Sequence, residues 1–157
     1  MGYVIRPAEV SDLEAFESLI AQARAGITSL AIDRDTLRER IDESLSAFST
    51  DVTKAADERY FFALANSASG QVAGMCAIRA AVGLKEAFYS YRVGTVVHAS
   101  KELGGHRTIP ALDLSNDYTG CSELTSLFLG PDHRGKKLGA LLSKSRLLFI
   151  GEFPERF

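Results

Sequence analysis

The sequence predicts an α+β domain, with helices and strands in mixed α/β layers. Its hydrophobic period is helical over the first third of the chain and then gives way to β-prone runs. The predicted element order, β-α-α-β-β-β-β-α, contains an adjacent strand pair and a late strand–turn–helix. Its 157 residues, 46% of them apolar and 24% charged, suit one core without disulfides or a structural metal.

Tyr3–Arg6 reads as a short strand closed by Pro7. Ser11 and Glu14 stand at capping-box spacing ahead of Leu13, Phe16, Leu19, Ile20 and Ala23. These predict an amphipathic helix ending near Gly26. A loop, Gly26–Leu30, leads to a second helix from about Asp33 to Phe48, with Leu37, Ile41, Leu45 and Phe48 as its apolar stripe. Arg59–Asn66 and Gln71–Arg79, joined by Ser67–Gly70, predict an antiparallel hairpin with a four-residue loop. Tyr89–Ala99 and Glu123–Leu129 are further strand candidates. Between them Lys101–Gly120 carries Gly104, Gly105, Pro110 and Asn116-Asp117, the composition of a loop. Lys136–Ile150 predicts a closing helix with Leu138, Leu141, Leu142, Ser145 and Phe149 on one face.

The composition also excludes classes of function. Thirteen Gly, four Pro and a net charge of −2 exclude collagen-like and disordered chains. That charge gives no general attraction to nucleic acid or anionic lipid, so any anion site must be local. Cys76 and Cys121 lack zinc or redox spacing, and each lies in an apolar stretch, which predicts two buried free thiols. No signal-type apolar segment opens the sequence, Arg6 replaces the Ser or Thr of a myristoylation site, and no apolar run reaches membrane-spanning length. A cytoplasmic location is the expectation.

One segment carries chemistry. Leu127–Leu142 reads as the end of a strand, a turn bearing Gly130 and Gly135, then a helix start. Arg134, Lys136 and Lys137 face only Asp132 at that mouth, and five of the 18 basic residues fall between positions 134 and 146. A helix N-terminus presents unpaired N–H groups and positive potential, which suits phosphate. Gly130-x-x-x-x-Gly135-Lys136-Lys137 approaches a P-loop, but Lys137 replaces the Mg²⁺-ligating Ser or Thr and Pro131 lacks an N–H. A solvated basic cap would give the same residues.

Arg134-Gly-Lys-Lys137-Leu-Gly139 resembles the coenzyme A pyrophosphate turn of the GNAT acyltransferase superfamily, Arg/Gln-x-x-Gly-x-Gly/Ala, with Lys137 in place of the first Gly. Longer blocks resemble the arginine N-succinyltransferase family. They are Gly26-Ile-Thr-Ser-Leu30, Tyr89-Ser-Tyr-Arg-Val-Gly-Thr-Val-Val-His-Ala-Ser-Lys-Glu-Leu103, Leu114-Ser-Asn-Asp-Tyr-Thr-Gly120, Glu123-Leu-Thr-Ser-Leu-Phe-Leu129, Leu142-Ser-Lys-Ser-Arg146 and Phe153-Pro-Glu-Arg-Phe157. This resemblance implies a GNAT-like fold, a central mostly antiparallel sheet flanked by helices. It implies transfer of succinyl from succinyl-CoA, a co-substrate and not a permanent cofactor, to the α-amine of L-arginine.

The resemblance places succinyl-CoA against Leu127, Phe128 and Leu129 and on Arg134, Gly135, Lys136, Lys137 and Gly139. Members of the family are more than twice this length, as two GNAT-like halves, and their proton-donor His has no counterpart before Phe157. The chain, residues 1–157, therefore resembles the first, N-terminal half as a single GNAT-like domain, completed by a C-terminal half, a second subunit or another copy. The alternative is a non-catalytic CoA-binding or scaffold domain.

Other residues admit two readings. Glu123 stands where GNAT enzymes often hold a general base, and a Glu opening a strand is commonly solvent-facing. Thr28 and Ser29 suit a substrate loop or a turn. Tyr89, Tyr91 and Arg92 suit an acyl or amino-acid pocket, with Arg92 gripping a carboxylate, or an aromatic core strand. His133 can donate to a phosphate, while His98, between Val97 and Ala99, reads as a structural histidine. Asp113, Asp117 and Glu123 are candidate partners for a substrate guanidinium. The histidines 98, 106 and 133 have no metal-ligand spacing.

Overall fold

The structure, a computed structural model, describes residues 2–23, 32–102 and 104–157. Four strands form an antiparallel sheet in the order β1 (Tyr3–Pro7), β2 (Arg59–Asn66), β3 (Val72–Arg79), β6 (Glu123–Leu129). Helices α1 (Leu13–Gln22) and α2 (Arg34–Ser49) lie between β1 and β2 in the chain, and α3 (Leu138–Glu152) follows β6. The predicted mixed-layer class and the β2–β3 hairpin agree with this architecture.

Strand alternation divides the core between the two sheet faces. Phe61, Ala63, Met75, Ala77 and Phe128 meet Phe16 and Leu19 of α1 and Leu37 and Ile41 of α2. On the other face, Tyr60, Phe62, Cys76, Ile78 and Leu129 meet Leu138 and Leu142 of α3. There the Phe149 ring packs 5.2 Å from Tyr60 and 5.6 Å from Phe48, tying α3 to the sheet and to α2. Both faces of β2 and β3 are thus covered, which explains their near-continuous apolar runs.

Asp33 caps α2 by accepting from Thr36 N at 2.7 Å. The first helix starts differently from the expectation of a Ser11–Glu14 box. A 3-10 turn, Val10–Asp12, precedes it, and the box is formed by Glu9 and Asp12. Arg6 decides this: its guanidinium grips the buried Asp12 carboxylate with two 2.7 Å hydrogen bonds, and Asp12 also accepts from Glu9 N at 2.8 Å. The helix ends at Gln22, where Ala23 turns extended; the predicted end at Gly26 lies outside the described residues.

The largest correction concerns Lys101–Gly120. Instead of a loop, it contains β5 (Gly105–Ser115), paired along its whole length with β4 (Ser90–Ser100) in a separate two-stranded ribbon. Pro110 is compatible because a two-stranded ribbon leaves alternate N–H groups without a ladder partner. Tyr91, Val93 and Val97 share one ribbon face with Leu112 and Leu114, and all five are exposed. His98 is therefore exposed on a ribbon, not a structural core histidine.

Cys76 is buried as expected, but Cys121 is exposed. It lies between Gly120 and β6, where its carbonyl accepts from Val82 N at 2.9 Å and its own N–H donates to Tyr118 O. The main chain is pinned inward and the thiol faces solvent. Among the described residues no helix is long and apolar enough to cross a membrane.

Candidate active site

The basic turn predicted to hold an anion lies between β6 and α3. Gly130 is buried and donates to Ala73 O at 2.9 Å, anchoring the turn to the sheet. Pro131–His133 forms a 3-10 turn, and Gly135 has φ 82. Lys137 then caps α3 in the left-handed region, φ 61, without a side-chain cap hydrogen bond. Lys137 replaces Gly in the motif and keeps the conformation that Gly favours. Gly139 leaves space beside β6: a Cβ there would meet Leu129 Cδ2 at 3.9 Å, an ordinary contact.

The first N–H groups of α3 have no intrahelical acceptor and no side-chain cap. Lys136 and Lys137 are exposed beside them. Arg134 donates through Nε to Leu129 O at 3.3 Å, and its guanidinium lies 5.8 Å from the Phe128 ring centroid. Those contacts orient the cation while its outer edge faces solvent. His133 makes a 3.1 Å hydrogen bond with the Tyr3 hydroxyl, so its ring is tethered at the base of the turn.

Among the described residues β6 is an edge of the four-stranded sheet, with β3 as its neighbour. It is bulged: the register with β3 shifts between Met75 and Ala77, and Ser126 has φ 53. A bulge leaves main-chain groups outside the ladder. Leu127 is half-buried beside it, whereas the Phe128 and Leu129 side chains are in the two cores, leaving main chain as their polar surface.

The remaining candidates do not gather there. Glu123 opens β6 and lies 4.0 Å from Arg79, which also donates to Asp57 at 3.2 Å. Arg92 is on the ribbon, 2.7 Å from Asp117. The Ser115 hydroxyl and then Arg92 hold the Asp117 carboxyl below its ordinary range. Tyr89 and Tyr91 are exposed, which removes the core-strand reading. Thr28 and Ser29 lie outside the described residues. A cavity of about 510 Å³ lies between α1 and the turn, lined by Arg6, Asp12, Gln22, Gln71, Asp132 and His133 among others. Among the described residues no group of three or more His, Cys, Asp or Glu is placed to hold a metal.

The bulge at Ser126 has little trace in the sequence, a Thr125-Ser126 pair inside an apolar strand.

The model of the arginine N-succinyltransferase beta subunit family matches residues 3–157. The chain belongs to the arginine N-succinyltransferase family. Relatives of that name are 48% identical in Citrobacter koseri and 49% in an Enterobacter species. Each match covers 98% of this chain and 44% of the relative, so the chain spans less than half of their length. A solved structure of arginine/ornithine succinyltransferase subunit AI from Pseudomonas aeruginosa superposes with a TM-score of 0.91 at 42% identity. It is covered over 47% of its length by 99% of this chain. The PaiA N-acetyltransferase of Thermoplasma acidophilum, solved with coenzyme A, shares the fold at a TM-score of 0.53 and 15% identity. The chain thus shares the sheet-and-helix fold of that N-acetyltransferase.

Proposed function

We propose that this chain supplies the CoA-binding part of an arginine N-succinyltransferase. The uncapped N-terminus of α3, ringed by Arg134, Lys136 and Lys137 directly behind the bulged edge strand β6, carries this reading. The pyrophosphate of succinyl-CoA would rest on the α3 amides and Gly135, with the basic side chains neutralising its charge. The pantetheine arm would follow β6 past Leu129, Phe128 and Leu127, taking main-chain hydrogen bonds on the open edge.

In the reaction the neutral α-amine of L-arginine attacks the thioester carbonyl. A tetrahedral oxyanion forms, the C–S bond breaks, and the CoA sulfur leaves with a proton while the amine loses one. Main chain freed by the bulge at Ser126 is suited to the oxyanion. Glu123 is a candidate base, though its contact with Arg79 favours a structural role. The proton donor would come from polypeptide beyond this chain, as the 44% coverage of the relatives suggests.

Exposed Leu141, Leu147 and Leu148 on α3 and the open edge of β6 favour completion by more polypeptide. Release of CoA thiol in the presence of arginine tests this division of labour. The chain alone should bind succinyl-CoA without turnover, and adding the remaining half of a relative should restore it. Turnover by the chain alone would contradict the missing donor.

A further inference from the structure

Arg146 lies on α3 and is only 6% exposed. A guanidinium stays protonated inside a protein, and buried charges are ordinarily paired with an opposite charge. Arg146 is not. Its Nε has no hydrogen-bond partner, and among the described residues no carboxylate forms an ion pair with it. Among the described residues its polar contacts are two long ones at 3.4 Å, from Nη1 to Thr125 O and from Nη2 to Ser143 Oγ.

The position of this uncompensated cation is specific. β6 runs toward the anion turn and α3 runs back from it, so Arg146 returns to the level of Thr125, beside the bulge at Ser126. Eight residues of helix separate it from Leu138, about 12 Å at the usual rise. A thioester whose pyrophosphate rests on the α3 N-terminus and whose arm follows β6 brings its acyl group to this level. A succinyl group differs from an ordinary acyl group in ending in a carboxylate.

We infer that Arg146 is the acyl-specificity residue, its guanidinium pairing with the terminal carboxylate of the succinyl group beside the Ser126 bulge. This rests on the CoA reading above and adds the choice of acyl group. The cost of keeping a cation buried without an anion is then recovered when the correct donor binds. An acyl chain ending in methyl leaves Arg146 unpaired and is discriminated against.

Calorimetric titration of succinyl-CoA, butyryl-CoA and CoA into the wild-type chain, Arg146→Met and Arg146→Lys tests the inference. Butyryl has the same length as succinyl, with methyl in place of carboxylate. The wild type should prefer succinyl-CoA over butyryl-CoA by about tenfold or more. Arg146→Met should erase that preference without changing affinity for CoA, and Arg146→Lys should retain part of it. Equal wild-type affinity for the two thioesters overturns the inference, as does an unchanged preference in Arg146→Met. Either result leaves the CoA turn standing if CoA itself binds. Failure of all three ligands to bind overturns the turn and this inference together. A guanidinium needed only to satisfy Thr125 O would lower the melting temperature of both variants and leave the acyl preference intact. Should Arg146→Met not fold, the wild-type ratio and Arg146→Lys decide.

Discussion

Lys137 shows how a departure from a motif can preserve its geometry. At φ 61 a side chain costs about 1 kcal/mol relative to Gly. The charge at the mouth of α3 is what Lys gains over Gly. Lys137→Gly should therefore raise stability by about 1 kcal/mol in urea unfolding while weakening CoA binding. A loss of stability would show that the left-handed turn is not strained.

The two thiols provide a second test at this scale. Burial pushes the Cys76 thiol up to about 12, despite the nearby Arg146 charge that lowers it, whereas Cys121 is exposed. In the native protein an aromatic disulfide reagent should modify Cys121 readily and Cys76 only on unfolding. The Cys76 thiol loses its proton more easily in the unfolded chain, where its ordinary value is 9.0. Its contribution to stability is therefore intact below pH 9 and is lost as pH rises toward 12, by up to about 4 kcal/mol. Cys76→Ala should show a shallower alkaline decline than wild type; parallel declines would contradict this.

Among the elements, α2 was legible because Leu37 and Ile41 of its apolar stripe are buried, and β2, β3 and β6 because they are β-prone apolar runs. The helix α3 was legible in extent, but Leu141 of its predicted face is exposed and Arg146 is buried. Asp33 marks a helix start, and Ser67–Gly70 marks a turn between two runs buried on both faces. β5 was illegible for the opposite reason: its one partner among the described residues is β4, so no core imposes an apolar run and Pro110 is tolerated. The first helix cap was misplaced because Arg6, on a strand, selects Asp12, a tertiary contact that local spacing does not record. At the site, the basic turn before α3 could be read from Arg134–Gly139, whereas the Ser126 bulge and the isolation of Arg146 arise from packing between β6 and α3.

The β4–β5 ribbon carries a prediction of its own. A two-stranded ribbon is marginal alone, and Val93, 78% exposed, lies opposite the exposed Leu112. Such an apolar face favours association. The wild-type chain should therefore self-associate with concentration in sedimentation velocity, and a Val93→Lys, Leu112→Glu pair should reduce this without unfolding the main sheet. A wild type that stays monomeric at its solubility limit would contradict it.

For the whole molecule, length and charge carry different meanings. A 157-residue chain has enough core to fold, with both faces of β2 and β3 covered. Yet β6 keeps an open edge, α3 exposes leucines and the ribbon exposes one face. These surfaces accord with a chain spanning 44% of its relatives' length. The net charge of −2 conceals the basic turn, because opposite charges are distributed elsewhere on the molecule. On the proposed reading, CoA binding belongs to this chain and turnover to a larger assembly.

Titration of succinyl-CoA into the wild-type chain and Arg134→Ala tests that claim most directly. The wild type should bind saturably and Arg134→Ala about tenfold more weakly, the loss expected for one charge-assisted contact. No binding by the wild type, or affinity unchanged in the variant, would contradict it.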